Sequence, residues 1–343
     1  MQVTTIGIDL AKNVFQVHGV DGTGKVVIKR QLRRGQIIEV FRKFPPCLVG
    51  IEACATAHHW ARELAQLGHT VRLMPAAYVK AYVKRSKNDA ADAAAICEAV
   101  TRPSMRFVPV KTVEQQTALM LHRSRDLLVR QRTQLINALR AHLAEVGLVA
   151  AAGAEGAKTL VAIVTDETNR TDLPGPMRQA LLPLVAQLVS LSEQIGMIER
   201  AIHAQHRASE ASRRLETVPG IGVIGATAIA ATVTDPTAFK SGRDLAAWIG
   251  LVPRQQSTGG KQRLGGISKQ GDRYLRRILI VGATAVIRHA RAHPEKQPWL
   301  TKLLATKPAK VVAVALANKM ARIAWAILTR GETYRAPALA AAA

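Results

Sequence analysis

Four carboxylates and one serine supply the residue types that phosphodiester chemistry requires. Asp9 ends the apolar run VTTIGIDL, Glu52 ends CLVGIE, and Asp89 and Asp92 lie three apart in the Ala-rich stretch SKNDAADAAA. Residues three apart on a helix share a face. Two strand-end carboxylates and a helical pair are the oxygen donors that hard divalent cations take. Two such cations can activate an attacking oxygen and stabilise a leaving one. Each residue alone has a plainer reading: Asp9 could cap a turn, and Asp89 and Asp92 could be a helix N-cap and a solvated face. Only the four in this order point to a metal site.

Ser257 lies in RQQSTGGKQRLGG, flanked by Arg254, Lys261 and Arg263. A free serine is a poor nucleophile until a base, a metal or in-line aim activates it. The cations could hold a phosphate, and Gly259 and Gly260 permit close backbone approach. On the residues alone, a flexible basic loop gripping DNA backbone accounts for this stretch better than a nucleophile does. GISKQGDRYLRR then places Lys269, Arg273, Arg276 and Arg277 within about two helical turns, as phosphate contacts. Pro219-Gly220-Ile221-Gly222 joins two helical stretches in the manner of a helix–hairpin–helix, where Gly220 and Gly222 would let backbone N–H groups meet a DNA phosphate. The same four residues also suit a tight helix–helix turn. His58 and His59 read as surface or packing residues of a helix.

The elements that must position these groups follow from periodicity. Residues 1–110 alternate β-branched runs with helical stretches: three meandering strands, then helix, strand, helix, strand, helix. That is the order of a ribonuclease-H-like α/β domain. Residues 113–147 predict one long helix, and Leu181, Leu184, Leu188, Leu191, Ile195, Ile198 and Ile202 form a coiled-coil seam that could close on that helix or on another chain. Pro183 would sit in the first turn. A helical region over 111–210, a mostly α domain over 211–335 and a disordered tail over 336–343 complete the organisation. The late run VVAVALANKMARIAWAIL is interrupted by Asn318, Lys319 and Arg322, and predicts a packed helix instead of a bilayer span.

Composition narrows the partners. The 343 residues carry 48 Lys and Arg against 24 Asp and Glu, a net charge of +24. From Thr237 onward there are 19 Lys and Arg against 4 Asp and Glu. Such a field is a nucleic-acid footprint. Cys47, Cys54 and Cys97 have neither metal-ligand spacing nor a disulfide pattern, and no signal peptide opens the chain, so a cytoplasmic protein is expected. The stretch GIDLAK also opens actin-like kinases, but the further Gly-rich phosphate loops of those proteins are not evident here.

Taken together, GIDLAKNVFQV, GIEACAT, KNDAADA, VPGIGVIGATAIAA and FKSGRDLAAWIGLVPRQQSTGGKQRLGGISKQGDRYLRR resemble the DEDD-type insertion-sequence transposases that are guided by a bridge RNA. The resemblance runs from about Thr5 to Tyr334. It implies a RuvC-like (ribonuclease-H-fold) N-terminal domain, a helical coiled-coil region and a C-terminal transposase domain of the Transposase-20 type. It also implies that Asp9, Glu52, Asp89 and Asp92 are catalytic ligands of one or two Mg²⁺ ions. Ser257 would be the nucleophile that forms a covalent ester with DNA, with Thr258 as the rival hydroxyl; Ser241 and Ser268 match flanking motifs. Donor and target double-stranded DNA, a noncoding guide RNA and a homo-oligomer (dimer or tetramer) would be the partners, in a bacterial cytoplasm and away from any membrane. Two other classes remain open: a metal-dependent nuclease of the Holliday-junction type without a covalent intermediate, and a non-enzymatic nucleic-acid-binding protein.

Overall fold

The structure, a computed structural model, describes residues 2–84, 88–166, 168 and 172–336. The expected tail lies outside the described residues except for Ala336. The chain divides into two compact units, 1–113 and 114–343.

The first unit is a five-stranded mixed sheet with helices on both faces. Its elements are β1 (Thr5–Leu10), β2 (Val14–Val20), β3 (Val26–Arg33), α1 (Ile37–Arg42), β4 (Leu48–Glu52), α2 (Ala57–Gln66), β5 (Thr70–Met74), α3 (Ala76–Val79) and α4 (Asp89–Ala99). The strand order is β3-β2-β1-β4-β5. β1 runs antiparallel to β2 and parallel to β4, which is parallel to β5. This is the element order expected from sequence, and it is consistent with a DEDD nuclease-like fold. Side chains alternate along a strand, and β1 uses both faces. Ile6 and Ile8 join Phe15, Phe41, Trp60 and Leu64 in one core, while Gly7 faces α4. A second cluster on the α4 side contains Met74, Ile96 and Val100.

Gly7 is required there by close approach. A Cβ at this position would lie 2.3 Å from the Ala93 carbonyl oxygen and 2.4 Å from the Cys97 nitrogen. Only glycine lets α4 lie against β1.

The second unit is helical. It contains α5 (Val113–Ala144), α6 (Ala154–Thr165), α7 (Gly175–Ala208), α8 (Glu210–Glu216), α9 (Val223–Thr232) and α10 (Gly242–Trp248). A two-stranded hairpin, β6 (Pro253–Gln255) and β7 (Leu264–Ile267), precedes α11 (Arg273–Ala292), α12 (Pro298–Thr306) and α13 (Ala309–Arg330). α6 begins in the Gly/Ala-rich stretch AAAGAEGAK and continues through TLVAIVT. It buries Leu160 and Val164 against Leu139 and Leu143 of α5 and Leu181, Val185 and Leu188 of α7. This part of the leucine seam is therefore filled from within the chain. α7 starts two turns before Leu181, so Pro183 is an interior proline and not a first-turn one. It removes the N–H that would bond the Gln179 carbonyl. The C-terminal core gathers Leu215, Ile221, Leu245, Leu275, Leu279, Leu316 and Met320 from α8 to α13. α7 and α13 are long and apolar enough to cross a membrane by length and composition. α13 buries Val312, Leu316, Met320 and Ala324 in this core, as expected for a packed helix.

Candidate active site

In the first unit the sheet register brings the carboxylates to one face. Gly7 pairs with Gly50 across β1 and β4. Both glycines face α4, because a Cβ at Gly50 would lie 2.8 Å from Val100 Cβ. Asp9 and Glu52 each follow two residues later, so alternation turns both toward the α4 side at the strand ends. α4 brings the other two. Its N-cap is Asn88, whose side-chain oxygen accepts the Ala91 N–H at 2.8 Å. Asp89 and Asp92 thus fall in the first turn and do not cap the helix. The partial positive charge of a helix N-terminus favours anions there.

A carboxylate oxygen from each of Asp9, Asp89 and Asp92 lies within 4.8 Å of the other two. Asp9 and Asp92 are half-buried and Asp89 is exposed. Among the described residues Glu52 does not join this group at that spacing; it ends the neighbouring strand, half-buried. Two ligands on opposite sides of one Mg²⁺, at about 2.1 Å each, sit about 4.2 Å apart. Adjacent ligands of an octahedral ion stand closer, about 3 Å apart, so the three oxygens would draw together around one ion; all three donors are oxygen. Cys97 contributes no ligand. Its thiol is buried under Gly7 and lies 3.7 Å from the Thr5 carbonyl, and burial pushes its pKa up to about 11.

In the second unit Ser257 sits just after β6, near the tip of the hairpin. Thr258 and Lys261 bridge the turn, and Gly259 and Gly260 between them both have positive φ, +54° and +76°. Two consecutive positive φ values mark the two-residue turns that match strand twist, and glycine adopts them without strain. The turn fixes the serine. Its Oγ accepts the Arg263 backbone N–H at 3.3 Å and the Gln255 Nε2 at 3.1 Å. Gln255 is a residue that sequence reasoning missed; its place two residues before Ser257 on one strand face is the only signal. Arg254, Lys261 and Arg263 are exposed around the hairpin, and Arg254 donates to the Ser268 carbonyl at 3.4 Å.

The remaining basic residues divide. Lys269 is exposed at φ +56°, and Arg273 is exposed at the start of α11. Arg277 is half-exposed, pairs with Asp126 and lies over the Tyr274 ring at 5.3 Å. Arg276 corrects an expectation. It is buried, and its guanidinium donates to the Ile249 and Gln270 carbonyls at 2.8 and 2.7 Å. It ties α11 to the loop before it and is turned away from any phosphate, because the helix face it occupies is the core face. The glycine turn also divides. Gly220, at φ +89°, faces the core, where a Cβ would meet Met320 Cε and Val286 Cγ2 at 2.9 Å. Gly222 is exposed at the start of α9, with open space around it.

Residues 212–298 match the model of the IS116/IS110/IS902 transposase family, and residues 6–147 match a transposase model of the DEDD IS110 type. The chain is 53% identical to the "Probable family 20 transposase" of Pseudomonas aeruginosa, over 98% of this chain and 99% of that one. It is 42% identical to the transposase for insertion sequence element IS1111A of Coxiella burnetii, over 97% and 92%. To the transposase for element IS1328 of Yersinia enterocolitica it is 41% identical, over 97% and 98%. The carboxylate strands and α4 lie in one matched span and the Ser257 hairpin in the other, and with identity sustained over nearly the full length the chain belongs to the IS110/IS116 family of insertion-sequence transposases.

Proposed function

We propose that this transposase moves its element by a serine-based DNA strand exchange, with a carboxylate-bound Mg²⁺ site and a noncoding guide RNA that selects donor and target DNA. The observation that carries the reading is Ser257 itself. It is an exposed hydroxyl on a hairpin ringed by cations, with two N–H donors aimed at its oxygen. Those donors stabilise negative charge on Oγ as its proton leaves. Ser257 Oγ attacks a DNA phosphorus and gives up its proton to solvent; the Oγ–P bond forms while the P–O bond to the departing sugar breaks, and that sugar oxygen takes up a proton from solvent. A hydroxyl of the recipient strand then attacks the ester, expels Oγ and receives the phosphate. The ester conserves the bond energy, so no ATP is consumed.

Asp9, Asp89 and Asp92 would hold the cation, with Glu52 from the adjoining strand completing the set. When bound, the ion supplies Lewis-acid stabilisation of charge on the reacting phosphate. Arg254, Lys261, Arg263, Lys269, Arg273 and Arg277 supply phosphate contacts, and the exposed Gly222 N–H region of α9 is a further backbone contact. The guide RNA and a homo-oligomeric assembly rest on the family resemblance alone, and the work would take place on DNA in the bacterial cytoplasm.

The test is a recombination assay with element-end DNA, the flanking noncoding RNA and Mg²⁺. Ser257→Ala is expected to abolish joined product while Thr258→Ala keeps it. Cleavage that persists in Ser257→Ala would sink the serine step and favour the metal-only nuclease that the carboxylate trio could support unaided.

A further inference from the structure

A groove of about 790 Å³ lies in the second unit, lined by the start of α10, by Trp299 of α12 and by one face of α13. Gly242 brings α10 onto α13: a Cβ there would stand 2.9 Å from the Cα and carbonyl oxygen of Arg322. Every charged residue that lines the groove is a cation, namely Arg243, Lys319 and Arg322. The chain places no Asp or Glu between Glu295 and Glu332 to offset them. The nearby Asp244, in the first turn of α10, accepts the Lys240 N–H on its own turn at 3.3 Å.

Two indoles line the same groove and differ. Trp325 is anchored by its Nε1–H, which donates to the Pro236 carbonyl at 3.0 Å. Trp299 is 44% exposed, with the Lys319 ammonium 4.5 Å from its ring centroid. An exposed indole in a concavity whose charged lining residues are all cations suits a stacking platform joined to phosphate contacts. A merely solvated basic face needs neither the concavity nor the indole. Duplex bases are already stacked and present no free face, and the groove has the size of a small-ligand site. Trp299, Lys319 and Arg322 lie beyond residue 298, where the C-terminal family match ends.

We infer that this groove binds unpaired nucleotides of a single-stranded nucleic acid, with a base stacked on Trp299 and neighbouring phosphates on Arg243, Lys319 and Arg322. The inference does not depend on Ser257 being the nucleophile.

Fluorescence anisotropy on the full chain tests it, with an unstructured 12-mer RNA, the DNA of the same sequence and a fully paired duplex as separate probes. Trp299→Ala is expected to weaken single-strand binding about tenfold, with Trp299→Phe within about twofold of wild type and duplex binding unchanged. Arg322→Gln, at an exposed position, should lower the salt slope of single-strand binding by about one. A larger loss with the RNA or with the DNA probe identifies which strand the groove serves. Single-strand binding unchanged in both Trp299→Ala and Arg322→Gln would overturn the inference. So would an equal loss of duplex binding in Trp299→Ala.

Discussion

Asp9 and Asp92 define the first consequence at the scale of single residues. On the proposed metal-holding role, removing one charge while keeping shape weakens a ligand oxygen and also removes a repulsion against phosphate. Asp9→Asn and Asp92→Asn should each lower strand breakage by about a thousandfold or more, with DNA affinity unchanged or slightly raised. Gel-shift titrations beside cleavage assays measure both, and affinity lost in step with activity would count against a metal-holding role. His122 gives a second consequence. It is buried in α5, its Nδ1 lies 3.1 Å from the Tyr274 hydroxyl, and its Nε2 has no partner among the described residues. Burial, with the Arg125 charge beside it, pushes its pKa down to about 4 from 6.5. The folded chain then binds fewer protons at this site than the unfolded chain between about pH 4 and 6.5. Stability should fall as pH drops through that window, by up to about 3 kcal/mol. Urea midpoints should decline from pH 7 to pH 5 in wild type and decline less in His122→Phe; equal declines would show that His122 is not the titrating group. At this scale the sequence was legible where type and spacing sufficed, as with Asp89 and Asp92 three apart. Arg276 was not legible, because a basic helix in sequence does not reveal which of its arginines faces the core.

Elements place these residues, and Gly7 is where placement is most exposed to change. A Cβ 2.3 Å from the Ala93 carbonyl must push α4 away from β1, and that movement separates Asp9 from Asp89 and Asp92. Gly7→Ala should destabilise the first unit by about 2–3 kcal/mol, the scale of overpacking. It should also cut strand breakage beyond what the lost folded fraction explains. Thermal melts and cleavage rates at a temperature where the variant is fully folded separate the two effects, and full activity there would refute the positioning role. The order of elements along the first unit was legible because β-branched runs and helix periodicity alternate cleanly over residues 1–110, whereas the sheet order β3-β2-β1-β4-β5 comes from the structure. α6 was not singled out: its start lies in a Gly/Ala-rich stretch, and its Leu160 and Val164 stripe is fixed by packing between α5 and α7. The hairpin that holds Ser257 was only half legible: Gly259 and Gly260 marked a place of close backbone approach, while the turn and the bonds from Gln255 and Arg263 to Oγ depend on strand register.

For the whole molecule, a net charge of +24, concentrated after Thr237, sets how it meets DNA. If about six phosphates are neutralised, affinity should fall about 10³-fold between 50 and 200 mM salt as counterions are released. A gel-shift series over that range measures the slope, and a fall of less than tenfold would contradict a phosphate-dominated interface. The most direct test of the account is chemical. Protein incubated with Mg²⁺, guide RNA and element-end DNA is denatured, digested with nuclease and protease, and its peptides are mass-analysed for a nucleotide remnant. The account predicts a remnant on the peptide containing Ser257, and none from Ser257→Ala. Cleaved DNA with no modified peptide, or a remnant mapped to Thr258 or elsewhere, would contradict it.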